Sequence, residues 1–137
     1  MIILDTHALI WSVDDNARLG KNTRALIEES SQTDGVLISA ITPWEIALLT
    51  EKGRLRLGQE VGAWLEAVLS LPSVRLAPIE PQIAIDSVRL PEEFHADPAD
   101  RIIVATARHF DITLVSADQA ILSYAAKGHV RAVDAAE

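Results

Sequence analysis

Asp97-Pro98-Ala99-Asp100-Arg101-Ile102-Ile103-Val104-Ala105-Thr106-Ala107 leads through Phe110 to Thr113-Leu114-Val115-Ser116, and this stretch decides the fold. Ile102, Ile103, Thr106, Ala107 and Phe110 repeat with helical period. Asp97 suits the N-cap and Pro98 the first helical position. The run that follows is apolar and too short for a helix. It lacks the alternation of a half-exposed strand, as expected of a strand covered on both faces. Similar unalternating runs stand at Met1 to Leu4 and Val36 to Ser39, with weaker ones at Val74 to Ala77 and Val130 to Val133. Helical patterns lie between them. Val61, Trp64, Leu65, Val68 and Leu69 make one apolar stripe, Thr42-Pro43-Trp44-Glu45 reads as a capping box, and Gly128 fits the stop of a helix over 118–127. Strand-helix alternation from end to end predicts a parallel α/β sheet with helices on both faces. Pro72, Pro78, Pro81 and Pro91 fall between predicted elements, so the 137 residues read as one domain, 1–137.

Composition narrows the function. The chain has no cysteine, which excludes disulfides, a thiolate zinc site and a cysteine nucleophile. No apolar run nears the roughly 18 residues of a membrane span, and the N-terminus lacks the basic lead of a signal peptide. The expectation is a cytoplasmic protein. Twelve basic against 20 acidic residues, a net charge of −8, argue against a nucleic-acid coat protein. They are compatible with a nucleic-acid enzyme whose acids gather around a metal. The basic clusters Arg18/Lys21/Arg24 and Lys52/Arg54/Arg56 read as solvated helix ends and turns; the second is equally open to guiding phosphates or to meeting an acidic partner.

Four acids are placed informatively. Asp5 ends strand 1, Glu45 follows strand 2, Asp118 follows strand 4, and Asp100 opens the helix before strand 4. In a parallel sheet the first three lie at the carboxyl edge, where such folds bind ligands. Each alone is explained as a helix cap or a first-turn acid. Together they are not, since two carboxylates about 4 Å apart repel by roughly 4 kcal/mol at an effective dielectric near 20. Four at one edge call for protons or a cation. An all-oxygen set suits Mg²⁺, or Mn²⁺, over Zn²⁺. The acids are 40, 55 and 18 residues apart, so only the fold can unite them.

Ile2-Ile3-Leu4-Asp5-Thr6-His7-Ala8-Leu9-Ile10-Trp11, Ser39 through Ile46, His95 through Ala105, and Leu114-Val115-Ser116-Ala117-Asp118 together resemble PIN-domain proteins of the VapC toxin type, in order and over essentially the whole chain. The resemblance implies a five-stranded parallel sheet of order 3-2-1-4-5. It implies a Mg²⁺- or Mn²⁺-dependent endoribonuclease whose catalytic and metal-binding quartet is Asp5, Glu45, Asp100 and Asp118, and whose products carry 5′-phosphate and 3′-hydroxyl ends. It also implies a cognate antitoxin and a homodimer.

Asp97 is the ambiguous neighbour of the quartet, better suited to the N-cap. Thr6 and Ser116, hydroxyls beside the acids, and Arg101 are candidate RNA contacts. His7 and His95 lie near the acids, and Trp11, Trp44 and Trp64 read as core or interface. Two other readings share the resemblance: a PIN nuclease of RNA processing outside a toxin–antitoxin pair, and a non-catalytic PIN scaffold that binds RNA or protein. A receiver-type phosphoaspartyl domain fits less well, because it wants a second acid close to Asp5 and a lysine after a late strand.

Overall fold

The computed structural model describes residues 1–137. Five short strands are β1 (Ile2–Leu4), β2 (Val36–Ser39), β3 (Val74–Ala77), β4 (Thr113–Ser116) and β5 (Ala132–Asp134). They form one parallel sheet in the order β3-β2-β1-β4-β5. Seven helices connect them: α1 (Thr6–Val13), α2 (Lys21–Gln32), α3 (Ile41–Glu51), α4 (Val61–Leu69), α5 (Pro81–Val88), α6 (Pro98–Phe110) and α7 (Gln119–Ala126).

The unalternating strands are explained by two cores. Successive side chains of a strand point to opposite faces. Ile2 and Leu4 therefore pack on one face with Ala8, Leu9 and Ile10 of α1 and Trp64 and Val68 of α4. Ile3 packs on the other, with Leu37, Leu114, Ile83 of α5, Ile103 and Val104 of α6, and Ile121 of α7. Both faces of the central strands are covered, so neither tolerates a polar position. The edge strand β3 is less covered, exposing Arg75 and Leu76 while burying Ala77.

Three local expectations change. Pro81 opens α5, whose Ile83 is fully buried; a proline at the first helical position gives up only an N–H that has no helical partner. β5 starts at Ala132 rather than Val130. The capping box at Thr42 and Glu45 does not form, because α3 begins at Ile41 and has no side-chain cap. Thr42 and Glu45 point instead toward α1. No helix is long and apolar enough to cross a membrane.

Candidate active site

The carboxyl ends of β1 and β4 and the N-termini of α1, α6 and α7 meet around a cavity of about 330 Å³. Its lining includes Asp5, Glu45, Asp97, Asp100 and Asp118, together with Thr6, His7, Trp11 and Ala117. The four acids expected from sequence thus converge, and Asp97 joins them.

Three of these acids also cap helices. Asp5 Oδ1 accepts from the Ala8 N–H at 2.8 Å, and Asp97 Oδ1 from the Asp100 N–H at 3.0 Å. Asp118 Oδ1 accepts from the N–H groups of Ala120 and Ile121 at 2.8 and 3.1 Å. Capping and clustering are therefore one arrangement. The positive ends of three helix dipoles face the acids and offset part of their repulsion. For Asp97 and Asp118 the capping bonds use only one carboxylate oxygen.

Asp5 is the most enclosed acid, 5% exposed, at the end of the central strand. Burial pushes its pKa up to about 6, against the lowering effect of hydrogen bonds from Ser116 and Ala8. Asp100 is pushed up further, to about 8, first by burial and then by the negative charges of Asp97, Asp118, Glu45 and Asp5. Without a counter-cation the site is a proton trap.

Two hydroxyls organise the acids from inside. Thr6 Oγ1 donates to Glu45 Oε1 and lies 3.3 Å from Thr42 Oγ1. This joins α1 to α3 and fixes the direction of Glu45. Ser116, fully buried, donates to Asp5 Oδ2 at 2.5 Å and accepts from the Asp118 N–H at 3.0 Å. Of the hydroxyls expected as RNA contacts, Ser116 is thus fully buried, and Thr6 lines the cavity while engaged with Glu45.

Arg101, the third expected RNA contact, is engaged with the backbone. Its guanidinium donates to the carbonyls of Ser87, Phe94, His95 and Val88 at 2.8 to 3.3 Å, away from the acids. The arginine after Asp100 holds the loop entering α6. Trp64 is buried in the core as expected, whereas Trp44 is half exposed and Trp11 lines the cavity, with the Arg18 guanidinium 6.0 Å from its ring centre. Sequence periodicity assigned Trp11 to an apolar face; nothing local showed that this face borders the acids. Of the basic clusters, Arg24 is held by Asp15 and by the carbonyls of Leu19 and Asn16, while Lys52, Arg54 and Arg56 are exposed beyond the end of α3.

Two groups of side chains are close enough to share a cation: Glu45, Asp97 and Asp100, and His95, Asp100 and Asp118. Hard carboxylate oxygens, with Asp100 shared between the two groups, fit a divalent cation. The imidazole of His95 is an addition to the all-oxygen set expected from sequence.

Known proteins share this architecture. Residues 2–127 match the PIN domain. The chain is 34% identical over 123 residues to Ribonuclease VapC22 of Mycobacterium tuberculosis, spanning 90% of this chain and 91% of that protein. The crystal structure of VapBC2 from Rickettsia felis bound to a DNA fragment from their promoter aligns with a TM-score of 0.69 at 15% identity, covering 98% of each chain. A toxin-antitoxin complex from Klebsiella pneumoniae aligns with a TM-score of 0.57 at 22% identity, covering 86% of this chain and 87% of that one. At those identities the two structures speak for the fold alone. The chain belongs to the PIN-domain family, in its VapC branch.

Proposed function

We propose that this protein is a Mg²⁺- or Mn²⁺-dependent endoribonuclease and the toxin of a type II toxin–antitoxin pair. The observation that carries the reading is the convergence of Asp5, Glu45, Asp100 and Asp118 on one cavity, with Asp100 raised first by burial and then by its acidic neighbours. The name of the relative, Ribonuclease VapC22, supports the substrate class, and the toxin-antitoxin complex among the structural neighbours supports the partner.

In this reading Asp5, Asp100 and Asp118 would hold the cation, and Glu45 would either join them or act on the attacking water. A bound divalent ion supplies positive charge at the phosphoryl oxygens and makes water more acidic. The chain's own residues do the remainder. Glu45 is held through Oε1 by Thr6, which leaves Oε2 to orient the attacking water and take its proton. The water oxygen bonds to phosphorus as the bond to the 3′ oxygen breaks, and the departing 3′ oxygen takes a proton from solvent water, leaving 5′-phosphate and 3′-hydroxyl ends. Asp5, tied to Ser116 and Ala8, keeps one geometry throughout. Arg18 beside Trp11 places a cation and an aromatic face at the rim, suited to a phosphate and a base.

An antitoxin that lays an apolar helix on the toxin and sends a basic side chain into the acid pocket would silence it. A homodimer in the cytoplasm, each chain a single domain, completes the reading. Cleavage of a mixed RNA pool with Mg²⁺ or Mn²⁺ tests it. EDTA and Asp100→Ala should both abolish cutting, and end mapping should show 5′-phosphates. Cutting that survives both would sink the proposal.

A further inference from the structure

His95 stands apart from the carboxylate quartet, yet it meets two of its members. Its Nε2 lies 3.1 Å from Asp100 Oδ2, and ligand atoms of His95, Asp100 and Asp118 all lie within 4.8 Å of one another. Nε2 is screened from solvent and makes no hydrogen bond, so it is close to the carboxylate without being aligned on it. The loop is also held in place. Arg101 donates to the carbonyls of Phe94 and His95 at 2.9 and 3.3 Å, and the Phe94 ring packs edge-on against the imidazole at 4.4 Å.

A donor and its acceptor point at each other, whereas two ligands of one ion point at a third position between them. Ligands about 2.1 Å from an ion in adjacent octahedral positions are about 3.0 Å apart. The separation of 3.1 Å between Nε2 and Oδ2 fits that arrangement, and their misalignment as a hydrogen-bonded pair is what it requires. A solvent-shielded ring nitrogen without a hydrogen bond calls for an explanation, and here, beside two carboxylates, a shared ion supplies one.

The geometry points to His95 as a cation ligand beside Asp100 and Asp118, making this a mixed nitrogen–oxygen position that selects Mn²⁺ over Mg²⁺. The inference rests on the proposed divalent-cation reading and adds a selectivity to it. Imidazole suits first-row transition ions, whereas Mg²⁺ keeps to oxygen and water. On its other side Asp100 shares an all-oxygen group with Glu45 and Asp97, which has no such preference built in.

The test uses metal-free full-length protein loaded with Mn²⁺ alone. Pulsed electron paramagnetic resonance should show nitrogen hyperfine coupling to the bound ion in the wild type and in His7→Ala. The coupling should vanish in His95→Ala and His95→Gln, with unchanged circular dichroism showing that both fold. Calorimetry should show Mn²⁺ affinity falling about tenfold or more in His95→Ala, with Mg²⁺ affinity falling less. Bound Mn²⁺ without nitrogen coupling, coupling that persists in both His95 variants, or equal losses for the two ions would overturn the assignment. Wild-type protein that binds neither ion better than Asp100→Ala would instead overturn the cation-site reading beneath it.

Discussion

The hydroxyl of Ser116 and the carboxylate of Asp5 lie 2.5 Å apart, both buried, at the ends of neighbouring parallel strands. Because the same hydroxyl accepts from the Asp118 N–H, it ties the central acid to another member of the quartet. The bond favours the charged form of Asp5 against the burial that disfavours it. Ser116→Ala should therefore raise the Asp5 pKa above its value of about 6 and reduce cation affinity at neutral pH by about tenfold. NMR titration of the Asp5 carboxyl reads the shift directly, and an unmoved midpoint would show that the hydroxyl is only filling space.

The metal-free protein should be destabilised by base in a range where most proteins are indifferent. Asp5 and Asp100 have folded-state pKa values raised from 3.8 to about 6 and about 8. A carboxyl with a raised folded-state pKa contributes stability that is whole below the unfolded value and lost as pH climbs to the folded one. Asp5 alone should account for about 3 kcal/mol, lost by about pH 6, and Asp100 should extend the decline toward pH 8. Melting in EDTA should show Tm falling from pH 5 to 8, and Mn²⁺ or Mg²⁺ should restore it. Asp100→Asn should flatten the upper part of this decline and melt higher than wild type at pH 8, while losing RNA cleavage about a hundredfold or more. A profile that rises over this range would contradict the account.

Arg101 should matter for stability and for the placement of its neighbours. Its guanidinium serves four carbonyls at the end of α5 and in the loop before α6. Arg101→Ala leaves part-buried carbonyls without donors and should cost about 2 kcal/mol, read as a lower urea midpoint at constant slope. Arg101→Lys should recover little, because one ammonium cannot reproduce a planar fork of donors. A fully stable Arg101→Ala protein that has lost RNA affinity would return the residue to the substrate.

Much of the fold was legible because its signals are local. The buried runs at 2–4, 36–39 and 113–116 have a period, or lack one, within a few residues, and Asp97-Pro98 marks a helix start by the chemistry of two neighbours. The four motifs supplied the identity of the acids. The local signals failed where one residue type serves two purposes. Pro81 read as a break and opens a helix, and Thr42 with Glu45 read as a capping box but turned to Thr6.

What the chain determined by itself was therefore the alternation of elements, the residues able to line a core, and four acids at element ends. Tertiary structure alone decided that Glu45 leans on a hydroxyl 39 residues earlier, that Ser116 reaches across 111 residues to Asp5, and that His95 faces Asp100 while Arg101 turns away. The reason is physical. Periodicity and capping act within a turn of chain, whereas charge repulsion, desolvation and ligand geometry act through space once strands β1 and β4 are side by side.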